Sequence, residues 1–338
     1  MDYQLYTEFP AELENEWNEL LDKSSSHVPF LRYEYLETWW QMRGGGEWQP
    51  ECSLVIITAR QNGKLAGIAP LFYTPDHQGK PCLMLLGSIE ISDYLDLIAP
   101  AEIIPEFVRG LLKCIEQADL PKWQVLDLYN ILDNSPTLAA LEAAASSDGL
   151  LYQQEKLQHS PYIPLPGDWE AYLAGIDKKQ RHEIRRKLRR AENAEVPVRW
   201  YLAEDAQALD TEIDAFLDLM KQDEDKAKFL TEPMKETMRA LMHCAFENGC
   251  LQLAFLEVDG HKAAAYASFD YLNRIWVYNS GLNFSFVEYS PGWVLLGHLL
   301  KWANENGRSE FDFMRGDEDY KYKFGGIKRD VMRVRVER

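Results

Sequence analysis

The spacing of apolar residues predicts alternating helices and strands in the first half of the chain. Leu13, Trp17, Leu20 and Leu21 recur at helical intervals, and a second helical segment ends at the glycines 44–46. Strands are predicted for short apolar runs at 53–59, 64–73, 81–86, 94–100 and 123–129, and a helix is predicted at 103–118. Asn62-Gly63 is typical of a hairpin turn between the first two strands.

The second half begins after a segment that carries Pro161, Pro164 and Pro166 and is expected to be extended. Helices are predicted at 168–175, 178–192, 204–222, 232–249 and 290–307. Strands are predicted at 197–202, at 309–314, at 330–337 and in a three-stranded meander over 250–280, with turns at Asp259-Gly260 and Leu272-Asn273. We therefore expect two similar α/β domains, at residues 1–160 and 161–338.

Composition and charge restrict the class of protein. The 338 residues are 46% hydrophobic and carry a formal net charge of −18 at pH 7, which disfavours binding to DNA or to anionic membranes. No run is apolar for long enough to span a membrane, and the start of the chain does not resemble a signal peptide. Because the five cysteines are scattered, without a CxxC pair, we expect a reduced cytoplasmic protein without a disulfide framework.

A basic segment at 177–192 stands out against this acidic background. Eight Lys or Arg side chains and one Glu lie between Lys178 and Arg190. Asp177 with Gln180 resembles a capping box, so the first cations fall in the first helical turn, where the helix dipole disfavours them. A bound anion such as a cofactor phosphate, a nucleotide or RNA would remove that conflict. The alternative is a solvated helix face.

A second candidate site lies where a helix is predicted to begin. Ser290 is placed at the N-cap and Pro291 at the first helical position, so that the N–H groups of Gly292 and Trp293 have no partner inside the helix. Such groups can bind phosphate, although Ser-Pro-Gly also begins many helices that bind nothing. The segment matches neither a Walker loop nor a GxGxxG fingerprint.

The third candidate is the segment FDFMRGDEDYKYKFGG at 311–326, which follows a predicted strand. Its acids could accept a proton from an amine, its tyrosines could donate one, and its lysines could hold phosphate. The alternative is a charged surface turn before an edge strand. No HxH or HxxxH pair and no G-x-S-x-G motif occurs, so neither a metal site nor a serine nucleophile is expected.

These segments together resemble a known family. They are similar to the second domain of two-domain GNAT acyltransferases. The similar segments are IDKKQRHEIRRKLRRAE, YNSGL and the run from YSPGWVLLGHLL to FDFMRGDEDYKYKFGG. Within that superfamily the segments resemble the CelD-type branch, which is associated with cellulose biosynthesis and is related to Fem-type aminoacyltransferases. The resemblance implies tandem GNAT-like domains, each a mixed, mostly antiparallel twisted sheet flanked by helices, with the acyl donor bound in the C-terminal domain.

The resemblance also implies how the donor is held. The strands RIWVYNS and EFDFM would splay apart with the thioester of acetyl-CoA or another acyl-CoA between them, and the helix at Ser290 would receive the pyrophosphate. The usual Arg/Gln-x-x-Gly-x-Gly/Ala is missing before that helix, which leaves room for another acyl thioester or an aminoacyl ester. The expected donor-binding residues are Tyr278, Asn279, Ser280, Ser290, Gly292, Trp293, Arg315, Lys321, Lys323, Arg181, Arg185 and Arg189.

The expected reaction is direct attack of an amine or hydroxyl on the thioester carbonyl. The protein would therefore be an N- or O-acyltransferase that forms no covalent intermediate. Asp312 or Glu318 would act as the base and Tyr320 as the acid toward the thiolate. The acceptor would be a small molecule, a saccharide or a peptide, in polysaccharide or envelope biosynthesis. Two alternatives stay open: a Fem-like enzyme that uses aminoacyl-tRNA, and an inactive GNAT-fold scaffold or ligand sensor.

Overall fold

The computed structural model of the protein describes residues 1–338. The chain forms two compact units, Met1–Gln158 with Arg329–Arg338, and His159–Lys328. The expected division into 1–160 and 161–338 differs from these units mainly in the C-terminal segment, which returns to the first unit. Each unit contains one sheet flanked by helices.

The first unit contains seven strands and five helices. The strands are β1 (Asp2–Tyr6), β2 (Ser53–Gln61), β3 (Lys64–His77), β4 (Lys80–Leu85), β5 (Val125–Leu132), β6 (Leu151–His159) and β13 (Asp330–Glu337). The helices are α1 (Glu14–Leu21), α2 (Tyr33–Gln41), the single turn α3 (Arg43–Gly46), α4 (Ile104–Gln117) and α5 (Pro136–Asp148). The sheet order is β1-β2-β3-β4-β5-β13-β6, with β4 and β5 parallel.

One strand predicted within the first unit is absent. The apolar run 94–100 forms no strand: its backbone makes an isolated bridge between Ile68 and Ile98 and a hydrogen bond from the N–H of Leu95 to the carbonyl of Asn130. The run is nevertheless buried, and Asp96 within it accepts hydrogen bonds from the hydroxyls of Ser26 and Ser135. Burial of a short apolar run is therefore no proof of strand pairing.

The assignment of the C-terminal strand to the second domain is also wrong. β13 was expected in the second domain but pairs with β5 of the first. The alternation of Met332, Val334 and Val336 is interrupted by a bulge between Met332 and Val334, so that Val331 is buried in place of Met332. Alternation identifies a half-buried strand but not its partner.

The second unit contains six strands and seven helices. The strands are β7 (Tyr162–Pro164), β8 (Val198–Leu202), β9 (Leu251–Val258), β10 (His261–Tyr271), β11 (Arg274–Leu282) and β12 (Glu310–Asp312). The helices are α6 (Trp169–Gly175), α7 (Lys178–Glu192), α8 (Leu209–Met220), α9 (Glu224–Phe229), α10 (Glu232–Glu247), α11 (Pro291–Glu305) and α12 (Asp319–Lys323), and a 3-10 segment spans Phe284–Tyr289. The sheet order is β7-β12-β11-β10-β9-β8.

The predicted meander is confirmed as β9, β10 and β11, joined by the two expected turns. α11 is buried on nearly all sides, as its uniform apolar character predicts, and its residues share a core with β9, β10 and β11. Only β11 and β12 pair in parallel, so the sheet is mixed and mostly antiparallel, as expected. The short helices α9 and α12 were not predicted, and both prove important for the site.

Candidate functional site

The strands β11 and β12 pair over only three residues and then separate. Arg274, Ile275 and Trp276 are the paired residues of β11, and β12 ends at Asp312. The carboxylate of Asp312 accepts the N–H of Met314 at 2.8 Å, and Met314 has a left-handed φ of 61°, so the chain turns away there. The rest of β11, as far as Leu282, therefore has an edge that β12 does not cover.

A bulge controls which backbone groups of β11 reach this open edge. Asn279 pairs with Ala267, but Val277 pairs with Ser268, so Tyr278 is the extra residue. The N–H of Asn283 donates to the carbonyl of Ala263, and the antiparallel alternation then directs the peptide groups of Ser280 away from β10. The open edge therefore presents the N–H and C=O of Ser280.

Both of these groups have local partners. The N–H of Ser280 donates to the side-chain oxygen of Asn279 at 2.9 Å, and its carbonyl accepts from Lys226 Nζ at 2.5 Å. Tyr278, the bulge residue, packs its ring against Phe269. Of the three strand residues expected to bind the donor, Ser280 is thus the one that presents both backbone groups at the open edge.

A pair of tyrosines includes the strand partner of Ser280. Tyr266, the partner of Ser280 on β10, is buried, and its hydroxyl is hydrogen-bonded to that of Tyr320 on α12. Burial raises the pKa of both hydroxyls, and in Tyr320 the neighbouring Tyr266 and Glu318 raise the pKa further. Both are therefore protonated at neutral pH. Tyr266 was not recognised in the sequence because it lies inside an apolar strand.

The loop before α12 is held by a buried lysine. Lys321 Nζ donates to the carbonyls of Arg315 at 2.9 Å and Gly316 at 3.3 Å, and it lies 2.9 Å from a carboxylate oxygen of Glu318. An ammonium group has three N–H donors, so these acceptors use all of them. Lys321, expected to hold an anionic group of the donor, instead fixes the loop, whereas Lys323 is exposed.

The two candidate bases have different surroundings. Asp312 is fully buried and caps the turn at Met314, which leaves it facing the protein interior. The side chain of Glu318 is 56% exposed and keeps one carboxylate oxygen outside its ion pair with Lys321. Glu318 is therefore the carboxylate that an external amine can reach.

The start of α11 lies at the end of β11. A Cβ on Gly292 would lie 3.0 Å from a methyl carbon of Leu282, so this contact requires a small residue. Ser290 occupies the N-cap position as expected, but with a left-handed φ of 52° and without a side-chain cap bond. The first intrahelical N–H donor is that of Val294, which leaves the N–H groups of Gly292 and Trp293 without a partner.

The basic helix α7 reaches this helix start through one cation. Lys187 Nζ lies 4.3 Å from the ring centroid of Trp293, and burial lowers the pKa of Lys187. The neighbouring Leu188 packs against Gly297, where an added Cβ would lie 3.1 Å from it. The position of Lys187 three residues after the apolar anchor Ile184 could have revealed it in the sequence.

The arginines expected to bind the donor have other partners on α6 and α7. Arg181 donates to the carbonyl of Ala174 at 3.3 Å, Arg185 forms an ion pair with Glu170, and Arg189 donates to the carbonyl of Arg185. The predicted cap of α7 is confirmed, since Asp177 accepts from the N–H groups of Lys179 and Gln180.

Comparison with known proteins identifies the fold. Residues 178–322 match a family model described as an acetyltransferase (GNAT) domain. No curated protein matches the chain in sequence. No helix of the protein combines the length and the apolar character that crossing a membrane requires.

Several solved structures are similar in fold at low sequence identity. A crystal structure of FemX is similar with a TM-score of 0.70 and 11% identity, over 99% of this chain and 97% of that one. The L-PGS structure from Bacillus licheniformis has a TM-score of 0.58 and 12% identity, over 96% and 91%. A tandem GNAT protein from the clavulanic acid biosynthesis pathway has a TM-score of 0.50 and 12% identity, over 98% and 97%. At these identities the likeness concerns the fold alone, and the expected fold of tandem GNAT-like domains is confirmed.

Proposed function

We propose that the second unit is an acyltransferase that moves an acyl group from acyl-CoA, with acetyl-CoA as the first candidate, to an amine or hydroxyl. The observation that carries the proposal is the open edge of β11 beyond Trp276, which lies next to the uncapped start of α11. The match of residues 178–322 to an acetyltransferase domain supports it. The CelD-type branch remains part of this proposal.

The chain supplies groups suited to each part of such a donor. The free N–H groups of Gly292 and Trp293 are suited to a pyrophosphate. Lys187 supplies a cation 4.3 Å from the ring centroid of Trp293, and its Nζ also lies 3.7 Å from a carboxylate oxygen of Glu183. The peptide groups of Ser280 can bind an amide or carbonyl of the donor once they give up their local partners. Exposed Lys323 adds a cation near the same loop.

The reaction requires two proton transfers. The acceptor nitrogen or oxygen forms a bond to the thioester carbon, its proton passes to Glu318 directly or through water, and the carbon–sulfur bond breaks. Tyr320 donates a hydrogen bond, and finally its proton, to the departing thiolate, and the proton that Glu318 received then returns to Tyr320 through solvent. Tyr266 holds the Tyr320 hydroxyl in place. Because the attack is direct, no nucleophilic side chain takes part.

The test measures binding and turnover separately. Isothermal titration with acetyl-CoA should show binding that free CoA abolishes by competition, and thiol release in the presence of amine and sugar acceptors should report turnover. Binding without release for any acyl-CoA would favour a ligand sensor, and no binding of any acyl-CoA would refute the proposal.

A second candidate is transfer from aminoacyl-tRNA, which the exposed cations of α7 favour. Lys178, Lys179, Arg186 and Arg190 are exposed along one helix. If they bind RNA, the affinity for aminoacyl-tRNA should fall steeply with salt concentration. Weak binding of tRNA at low salt would eliminate this candidate.

A further inference from the structure

Lys226 is a partly buried cation that forms no ion pair. Its ammonium nitrogen lies 2.5 Å from the carbonyl oxygen and 3.4 Å from the hydroxyl oxygen of Ser280, and no carboxylate oxygen lies within 4 Å. Burial lowers the pKa of Lys226, and Asp223 and Glu318 oppose that shift only from a greater distance. Charged groups removed from water are normally paired with a group of opposite charge, whereas the ammonium of Lys226 has only neutral hydrogen-bond acceptors.

The backbone places this cation at the open edge of β11. The end of α8 packs on Gly281, where an added Cβ would lie 2.6 Å from Leu219 Cβ and 2.7 Å from the backbone nitrogen of Met220. Asp223 then caps α9 by accepting the N–H groups of Asp225 and Lys226. No residue of α9 is buried, so hydrophobic packing does not explain the inward direction of Lys226.

Lys226 donates to Ser280, and Tyr266, the strand partner of Ser280, is hydrogen-bonded to Tyr320 of α12, the helix whose N-cap residue is Glu318. These contacts connect a carboxylate able to receive a proton from an amine with a cation able to receive an anion. Lys321 is excluded as the receiver of the anion because its three N–H donors are occupied. A molecule that satisfies both groups has an amine and an anionic group close together.

We propose that Lys226 binds the anionic group of the acceptor, and that the acceptor is a small amino acid or a similar molecule with a carboxylate or phosphate near its reacting amine. This inference rests on the proposed acyl transfer. In the free protein the Ser280 carbonyl and hydroxyl occupy Lys226, and the acceptor anion replaces or joins them.

The test compares matched acceptors with acetyl-CoA as donor. Each α-, β- or γ-amino acid is paired with the amine that lacks its carboxylate and with the corresponding aminophosphonate, for example β-alanine with ethylamine and 2-aminoethylphosphonate. A hydrogen bond to a charged group contributes about 1.5–3 kcal/mol, so the anionic acceptor should have a kcat/KM roughly 10- to 150-fold higher. A preference for the carboxylate over the phosphonate identifies which anion the site accepts.

Substitution of the lysine should remove this preference. Lys226→Gln should abolish the difference in kcat/KM between the anionic acceptor and the amine that lacks the anion, and Lys226→Arg should keep most of that difference. Lys228→Gln is the matched control, because Lys228 is on the same helix but is exposed and paired with Asp225. The melting temperature of Lys226→Gln should stay constant or rise, whereas a purely structural clamp on Ser280 would make it fall.

Two outcomes would overturn the inference: equal use of acid and amine by the wild-type protein, or an unchanged preference in Lys226→Gln. Isothermal titration of the same amino acids into both proteins, without donor, tests the anion site even if no acyl group is transferred. Binding that Lys226→Gln abolishes, without turnover, would refute the proposed function but preserve the site.

Discussion

The ammonium of Lys321, only 3% exposed, lies 2.9 Å from a carboxylate oxygen of Glu318, whose own side chain is 56% exposed. One partner of this ion pair is thus fixed inside the protein while the other reaches solvent. The arrangement holds one oxygen of Glu318 and leaves the second available. A general base needs this combination of fixed position and access.

Replacing Lys321 should separate its structural role from a role in donor binding. Lys321→Met removes three hydrogen bonds from the loop at 315–318, so the free energy of unfolding should fall by about 2–4 kcal/mol. Turnover should fall as well, because Glu318 loses its partner, while acetyl-CoA affinity changes less than threefold. Urea unfolding and titration provide the two measurements, and Lys323→Met, at an exposed neighbour, is the control. A large loss of affinity at full stability would restore Lys321 as a phosphate ligand.

Gly316 should tolerate no side chain. Its φ is 120°, and an added Cβ would lie 2.5 Å from a Glu318 carboxylate oxygen and 2.9 Å from Lys321 Nζ. Gly316→Ala should therefore lower the free energy of unfolding by about 1–3 kcal/mol and also reduce turnover. Gly307→Ala is the control, because Gly307 has a φ of 71° with no atom within 4 Å, and should cost about 1 kcal/mol without loss of turnover. Equal turnover in both variants would mean that the position of Glu318 is unimportant.

Tyr320→Phe should reduce turnover by roughly 100-fold, the usual contribution of a positioned acid, with little change in donor affinity. Tyr322→Phe is the matched variant on the same helix, since the Tyr322 hydroxyl donates to the loop residue Asp317. Thiol release and titration with acetyl-CoA give the two quantities. Normal turnover in Tyr320→Phe would remove Tyr320 from the mechanism.

The cation that matters on α7 should be Lys187. Lys187→Gln should weaken acetyl-CoA binding roughly 5- to 30-fold, because a charge at the start of α11 is lost. Arg186→Gln is the control, since Arg186 is exposed on the same helix and shares the carboxylate of Glu183 with Lys187. The double variant Arg185→Gln and Arg189→Gln should behave like the control, because Arg185 pairs with Glu170 of α6 and Arg189 donates to the carbonyl of Arg185. Stronger weakening by the double variant than by Lys187→Gln would return donor binding to the exposed face of α7.

His298 should make the stability of the protein pH-dependent. Burial lowers the pKa of His298 to about 4, and its ring stacks on Trp200. An unfolded chain takes up this proton near pH 6.5 and the folded protein only near pH 4, so stability is complete above pH 6.5 and declines as the pH falls toward 4. The loss should reach about 3 kcal/mol at the 1.36 kcal/mol that each pKa unit represents.

The check is the difference between the wild-type protein and His298→Gln, because carboxylates titrate in the same range. Urea unfolding at pH 7, 6 and 5 should show a smaller decline in the variant. Parallel curves for the two proteins would contradict the buried, neutral state of His298.

The sequence predicted most of the elements and the region of the site, but not the contacts that define it. Hairpin turns and amphipathic helices depend on local spacing, which is why the meander and α11 are confirmed. Lys226 and Tyr266 were missed because their importance depends on pairing across β10 and β11, which spacing does not encode. Arg181 and Arg185 were recognised by charge, yet charge alone does not show that nearby carbonyls and Glu170 already bind them.

The insertion of β13 between β5 and β6 affects how the protein is made. During synthesis, the edges of β5 and β6 that pair with β13 stay unpaired until β13, which ends at residue 337, has been synthesised. All of His159–Lys328 emerges before that strand, so the second unit can complete its sheet first. Emergence of Asp330–Glu337, rather than of the preceding strands, is therefore the event that closes the first sheet.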